Sequence, residues 1–157
     1  MNIMKALITG ASSGIGLEMA RILSREGFEL ILVAREKEKL QKVQEELGKN
    51  VKIVVADLSN ESKLKELYVL CKNDKIDVLI NNAGFGDCGK FTETDLSKEL
   101  EMIDVNIKAV HVLTKLFLKD MKKRNSGYIL NVASMAAFAP GPLMATYYST
   151  KAYVLRL

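Results

Sequence analysis

Ile3-Met4-Lys5-Ala6-Leu7-Ile8-Thr9-Gly10-Ala11-Ser12-Ser13-Gly14-Ile15-Gly16 runs from an apolar segment into a turn built on three glycines. Ile3 to Thr9 has the composition of a short strand, and the apolar positions Ile15, Met19, Ile22 and Leu23 recur at helical spacing up to Gly27. A strand, a glycine turn and a helix in that order form a phosphate cradle. Gly10 permits the tight turn, Gly14 lets the backbone approach a pyrophosphate, and Gly16 lets helix and strand pack closely. The anion then meets N–H groups of Ser12, Ser13, Gly14 and Ile15 at the helix N-terminus. A plain tight turn is the competing reading of these glycines taken alone.

The rest of the chain repeats the alternation. Strand-like Glu29 to Ala34 precedes a charged helix, Lys37 to Leu47, and Val51 to Ala56 ends at Asp57-Leu58. A third helix follows from Asn60 to Lys72, with Leu64, Leu67, Val69 and Leu70 among its apolar positions. Asp77 to Ile80 reads as a fourth strand running into Asn81-Asn82-Ala83-Gly84. After a loop from Phe85 to Thr92, helices are expected near Asp95 to Asp104 and onward to Lys123, with Asn106 inside or between them. Tyr128 to Val132 is the fifth strand, and Ser134 stands just beyond it, where it also suits a plain turn. Strands and helices alternating at these lengths predict an α/β fold with a doubly wound parallel sheet of Rossmann type. In such sheets ligands sit beyond the carboxyl ends of the strands, so Gly10, Arg35, Asp57, Asn82 and Ser134 are expected along one edge.

Arg35 falls just past the tip of the second strand, where a dinucleotide fold reads the adenosine ribose. An acid there favours a 2′-hydroxyl and an arginine a 2′-phosphate, so Arg35 points to NADP(H) rather than NAD(H). Glu36 on the ribose, or an Arg35 that merely faces solvent, is the alternative. Near the end of the chain, Tyr147-Tyr148-Ser149-Thr150-Lys151 places a phenol and an ammonium four residues apart, on one helix face. A free phenol titrates near about 10, and a fixed cation beside it favours the phenolate, which suits proton exchange with an alcohol or carbonyl oxygen. Alone, such a pair is as readily a solvated helix face.

Composition narrows the classes. A chain of 157 residues, 48% apolar and 27% charged, has room for one domain with a sizeable core and is not disordered. The formal charge of +4 is spread through mixed faces such as Glu36 to Lys49, and Lys122-Lys123-Arg124 falls at an expected helix end, so no nucleic-acid partner is indicated. Cys71, Cys88 and a single histidine, His111, offer no metal or disulfide framework. His111, between Val110 and Val112, reads as a packing or subunit contact. The N-terminal stretch from Met1 carries no signal core, which makes the cytoplasm the default. Asn125 to Thr150 lacks charge, but Asn131, Ser134 and Pro140-Gly141-Pro142 interrupt it, giving a buried strand, a loop and a helix start rather than a membrane span.

Thr9-Gly10-x-x-x-Gly14-x-Gly16, Asp57, Asn81-Asn82-Ala83-Gly84, Asn106, Ser134 and Tyr147-x-x-x-Lys151 occur in that order, and as a set they resemble the short-chain dehydrogenase/reductase family, in its branch of simple oxidoreductases. The resemblance covers essentially the whole chain. It implies Tyr147 as general acid/base, Lys151 on the nicotinamide ribose and easing proton release, Ser134 orienting the substrate oxygen, and Asn106 holding a water that links Lys151 to solvent. It further implies Asp57, with Leu58, at the adenine, and the Asn82-Ala83-Gly84 backbone beside the cofactor. The implied activity is hydride transfer between NADP(H) and a small carbonyl or alcohol substrate, without a metal, in a homo-oligomer (dimer or tetramer). A non-catalytic dinucleotide-binding or interaction module is the alternative.

Against the family pattern the chain stops at Leu157, within the helix that carries Tyr147 and Lys151, so the single domain is expected to be incomplete and its activity weak or absent. An open edge at Tyr128 to Val132 and a short, frayed last helix are expected with it, and association through that edge or the last helices. Phe85, Phe91, Phe138 and Met144 flank the expected site and suggest an apolar carbonyl compound, though each also suits a core position.

Overall fold

The computed structural model describes residues 3–157, so Met1 and Asn2 of the N-terminal stretch lie outside the described residues. Five strands form one sheet: β1 (Lys5–Thr9), β2 (Glu29–Ala34), β3 (Val51–Val55), β4 (Val78–Asn81) and β5 (Tyr128–Asn131). The helices are α1 (Gly14–Arg25), α2 (Lys37–Leu47), α3 (Glu61–Cys71), α4 (Leu96–Ile103), α5 (Val110–Lys123) and α6 (Ala145–Arg156). Neighbouring strands are parallel throughout, in the order β3-β2-β1-β4-β5. The chain winds outward from β1 to β3 and then crosses back to β4, so the winding reverses between β1 and β4. That switch point opens the crevice in which such sheets hold ligands.

Both faces of the sheet are covered, which is why its strands read as continuous apolar runs. Leu7 of β1 packs on one face with Ile31, Val33 and Leu79, under Leu64 and Leu67 of α3 and Leu113 and Phe117 of α5. Its neighbours Ala6 and Ile8 point the other way, into a second cluster with Leu30, Leu32, Ala20 of α1, and Leu40 and Val43 of α2.

Several local expectations are corrected. In α1 the buried positions are Gly16 and Ala20, while Ile15 and Ile22 face outward, because small residues let the helix lie close to the sheet. Leu64, Leu67 and Cys71 form the inner stripe of α3 and leave Val69 and Leu70 exposed. β5 stands at the open edge expected for it, so it is not the buried strand also expected, with Tyr128 69% and Leu130 44% exposed. The last helix is not short: α6 is continuous over 12 residues, with Thr150, Lys151 and Val154 buried. Between α4 and α5 the chain does not break but widens into a π-helical segment, Asp104–Ala109, with Asn106 inside it.

At the amino ends of the strands Lys5 meets Asp74 at 2.8 Å, and Lys52 of β3 reaches the same carboxylate at 3.2 Å. The hydrogen bond from Lys5 holds the Asp74 carboxyl below its usual range, and Asp74 in turn raises Lys5. A depressed acid adds stability above its unfolded value, ordinarily 3.8, and loses it as the pH falls through the folded one; the raised Lys5 keeps its share until the pH climbs past 10.5. Asp74→Asn is therefore expected to lower the urea midpoint at pH 7, with the difference from wild type shrinking as the pH falls below 3.8 and on through the lower folded-state value.

Candidate active site

A cavity of about 750 Å³ opens at the carboxyl ends of the strands, of the size that holds a small organic ligand or cofactor. In sheet order its wall runs from Asp57 and Leu58 after β3, through Arg35 after β2, to the glycine turn after β1. It continues through Asn82, Ala83 and Gly84 after β4 to Val132 after β5, with Tyr147 and Lys151 of α6 closing that side.

The glycine turn is shaped for an anion. Gly10 and Gly14 have φ of 65° and 55°, a region that disfavours side chains. A Cβ on Gly10 would meet Ala83 Cα at 2.9 Å, and one on Gly16 would collide with the Gly10 carbonyl and the Asn82 amide. A Cβ on Gly14 would meet nothing within 4 Å, which leaves open space at the start of α1. Ser13 caps α1 without a side-chain hydrogen bond, so its hydroxyl does not occupy the helix N–H groups. Ser12, Ser13, Gly14 and Ile15 line the cavity, whereas Gly16 is buried beneath the turn.

Thr9 anchors this turn, a role that reading the glycines alone does not reveal. Its hydroxyl accepts from the backbone N–H groups of Asn82 and Ala83, both at 3.0 Å, and donates to the Ile80 carbonyl at 3.3 Å. The Asn82 side-chain amide donates back to the carbonyls of Thr9 and Gly10 at 3.0 and 3.2 Å. The loop after β4 is thereby fixed to the loop after β1.

Arg35 reaches away from β2 to Glu101 of α4, its Nη1 donating to Oε1 at 2.7 Å. Glu36 pairs with Lys39 at 2.8 Å. Asp57 accepts from the backbone N–H and hydroxyl of Ser59 at 3.0 and 2.8 Å. The backbone bond, against some desolvation and with help from the hydroxyl and the nearby Arg35 charge, holds the Asp57 carboxyl below its usual range.

On α6, Lys151 is 6% exposed and donates to the Val132 carbonyl at 2.9 Å, with its Nζ 6.0 Å from the centre of the Tyr147 ring. Burial pushes the Lys151 ammonium down from its ordinary value. A Cβ on Gly86 would press on the Tyr147 ring at 3.1 Å, and one on Gly84 would lie 3.4 Å from Lys151 Nζ. The loop after β4 therefore runs closely against both side chains. Asn106 holds it there: its amide donates to the Phe85 carbonyl at 2.9 Å and to Thr150 Oγ1 at 3.0 Å, and its Oδ1 accepts from Phe85 N–H at 3.1 Å.

Two residues expected in the site stand behind or beside the wall. The Asn106 side chain is buried and committed to Phe85 and Thr150. Ser134 caps a 3-10 turn, Met135–Phe138, its Oγ accepting from Ala136 N–H at 3.1 Å. Of the flanking apolar residues, Phe85 and Met144 line the cavity, while Phe91 and Phe138 are 68% and 69% exposed, neither core nor wall. His111 Nδ1 lies 2.7 Å from the Tyr153 hydroxyl, a contact between α5 and α6. No group of three metal-ligating side chains converges among the described residues, and no helix among them is long and apolar enough to cross a membrane.

Thr9→Val keeps the shape of the anchor and removes its polar atom, stranding the Asn82 and Ala83 N–H groups. Each unsatisfied group costs about 1–3 kcal/mol, so the expected loss in chemical denaturation is about 2 kcal/mol or more, with Thr9→Ser close to wild type. A neutral Thr9→Val would show that these N–H groups find other partners.

Comparison with known proteins agrees with this architecture. An "uncharacterized oxidoreductase" of Staphylococcus epidermidis is 35% identical over 151 residues, 95% of this chain and 66% of the relative. The chain thus spans just under two thirds of the length of the curated relatives it matches. The bulky-bulky ketone specific alcohol dehydrogenase from Comamonas testosteroni superposes with a TM-score of 0.94 at 34% identity, over 99% of this chain and 65% of that one. A short-chain dehydrogenase from Sphingobium yanoikuyae in complex with NADPH gives 0.93 at 34% identity, over 98% and 63%. The sequence profile of the short chain dehydrogenases matches residues 4–157, and the chain belongs to that family.

Proposed function

We propose that this sequence serves an NADP(H)-dependent oxidoreductase that interconverts a small carbonyl compound and its alcohol. The observation that carries the reading is convergence on one cavity: a glycine turn and Arg35 along one part of its wall, and Tyr147 with Lys151 along another. A dinucleotide requires the first and proton transfer at its far end the second. Gly14 offers open space at the start of α1 for the pyrophosphate, so the residues present fit the cofactor. Arg35, with no acid in its place at the β2 tip, favours a 2′-phosphate over a hydroxyl. The Sphingobium relative was solved with NADPH, which supports the same preference.

When bound, the nicotinamide supplies or accepts the hydride. Tyr147 exchanges the proton at the substrate oxygen, and Lys151, already fixed by the Val132 carbonyl, supplies positive charge beside it and a donor for the ribose. Ser134, whose hydroxyl accepts from Ala136 N–H and keeps its own hydrogen to donate, orients the substrate oxygen, and Asn106 holds the loop and α6 in register. Phe85 and Met144 give the substrate region an apolar side. Exposed Leu118 on α5 and Tyr153 and Leu155 on α6 support association of copies through these helices. A non-catalytic dinucleotide-binding module is the weaker reading, because it leaves Tyr147 and Lys151 at the cavity unexplained.

Two measurements test this. Calorimetric titration is expected to show NADPH binding more tightly than NADH, with Arg35→Asp reversing the order; equal affinities in the wild type would remove Arg35 from the site. In a polypeptide of the relatives' length, supplied with NADPH and a panel of carbonyl compounds, Tyr147→Phe should lower turnover by about 100-fold or more while cofactor affinity stays near wild type. Near-normal turnover in that variant would sink the proton-transfer role.

A further inference from the structure

Glu101 lies 66 residues from Arg35 in sequence, on α4, yet it is the group to which Arg35 donates, at 2.7 Å. The side chains are 62% and 38% exposed, so the pair sits in high dielectric and opens at little cost. Around it the field is not simply positive. Asp57 and Glu36 line the same part of the cavity, Glu36 pairs with Lys39, and the other basic side chain along the cavity wall is Lys151, on α6. Attraction for a dianionic 2′-phosphate therefore rests on Arg35, and Glu101 holds Arg35 by one nitrogen.

We propose that Glu101 sets the strength of the preference for NADP(H) over NAD(H), by competing with the 2′-phosphate for the Arg35 guanidinium. This rests on the assignment of Arg35 to that phosphate, proposed above. Without the phosphate, Arg35 spans to α4. Binding of a nucleotide that carries it draws the guanidinium away and leaves Glu101 to solvent, so part of each phosphate contact offsets the broken pair. A nucleotide with a free 2′-hydroxyl has no call on Arg35 and leaves the pair intact. Glu101 thereby weakens only one of the two cofactors, and it does so without touching either.

The test titrates NADPH and NADH into the wild type, Glu101→Gln, Arg35→Gln and the double variant. Glu101→Gln frees Arg35 and is expected to tighten NADPH by about two- to fivefold, the range for releasing one exposed ion pair, with NADH nearly unchanged. In the Arg35→Gln background the same substitution is expected to shift both nucleotides alike. Glu101→Gln that weakens NADPH would overturn the proposal by showing that Glu101 props Arg35 toward the phosphate; equal shifts of the two nucleotides in the wild-type background would overturn it as well. If Arg35→Gln leaves the NADPH to NADH ratio unchanged, the assignment of Arg35 itself fails and Glu101's role with it. If Arg35→Gln abolishes the preference while Glu101→Gln alters nothing, the competition alone is wrong.

Discussion

Where β1 and β4 leave the sheet, their backbone groups lose the ladder and must find other partners. The Thr9 hydroxyl supplies them for two consecutive N–H groups of the neighbouring loop, and the Asn82 amide returns two bonds to the carbonyls of Thr9 and Gly10. This small closed network sits at the switch point of the winding, where the crevice opens. It holds the glycine turn against the Asn82-Ala83-Gly84 backbone closely enough that a single added carbon on Gly10 or Gly16 has no room. The shape of the glycine turn thus follows from satisfying the backbone polar groups beside it.

A second network carries the same rigidity across to α6. Asn106, inside the widened π-helical turn, uses its side-chain amide on Phe85 and Thr150 together. Phe85 follows Gly84 directly, so the loop fixed at one end by Thr9 is fixed at the other by Asn106. Thr150 precedes Lys151, and the same bond therefore sets the helix that presents Tyr147 and Lys151. Buried Lys151 is tied in turn to β5 through the Val132 carbonyl. The glycine turn and the Tyr147–Lys151 pair are mechanically one piece, joined by hydrogen bonds that nearly all run between side chain and backbone. That arrangement explains how an exposed edge strand such as β5 still delivers a defined position at its end.

The charged part of the site is built differently. Arg35, Glu36 and Glu101 are exposed or half-buried, and their pairs are held by Coulomb attraction in high dielectric rather than by packing. Such exposed pairs cost little to open, whereas the Thr9 and Asn106 networks involve buried side chains with several partners each. The cavity thus combines a rigid backbone wall at the glycine turn and the loop after β4 with softer charged side chains at the β2 and β3 tips.

Much of this was legible from residues 3–157 read in order. Apolar runs of five or six residues alternating with amphipathic segments imply a parallel sheet covered on both faces, because only burial on both sides removes the need for polar alternation. The glycine spacing, Arg35 at a strand tip and Tyr147 with Lys151 at i and i+4 are local patterns, and local patterns survive in the sequence. The contents of contacts between distant segments do not. The π-helical turn around Asn106, the small-residue face of α1, and Glu101 as the partner of Arg35 depend on which elements come to lie side by side. Those are set by packing and by the search for hydrogen-bond partners over separations of 21 to 74 residues, for which no periodicity in the chain is a record. Tertiary structure alone therefore decided how the site's parts are held, while the sequence by itself determined which parts there are.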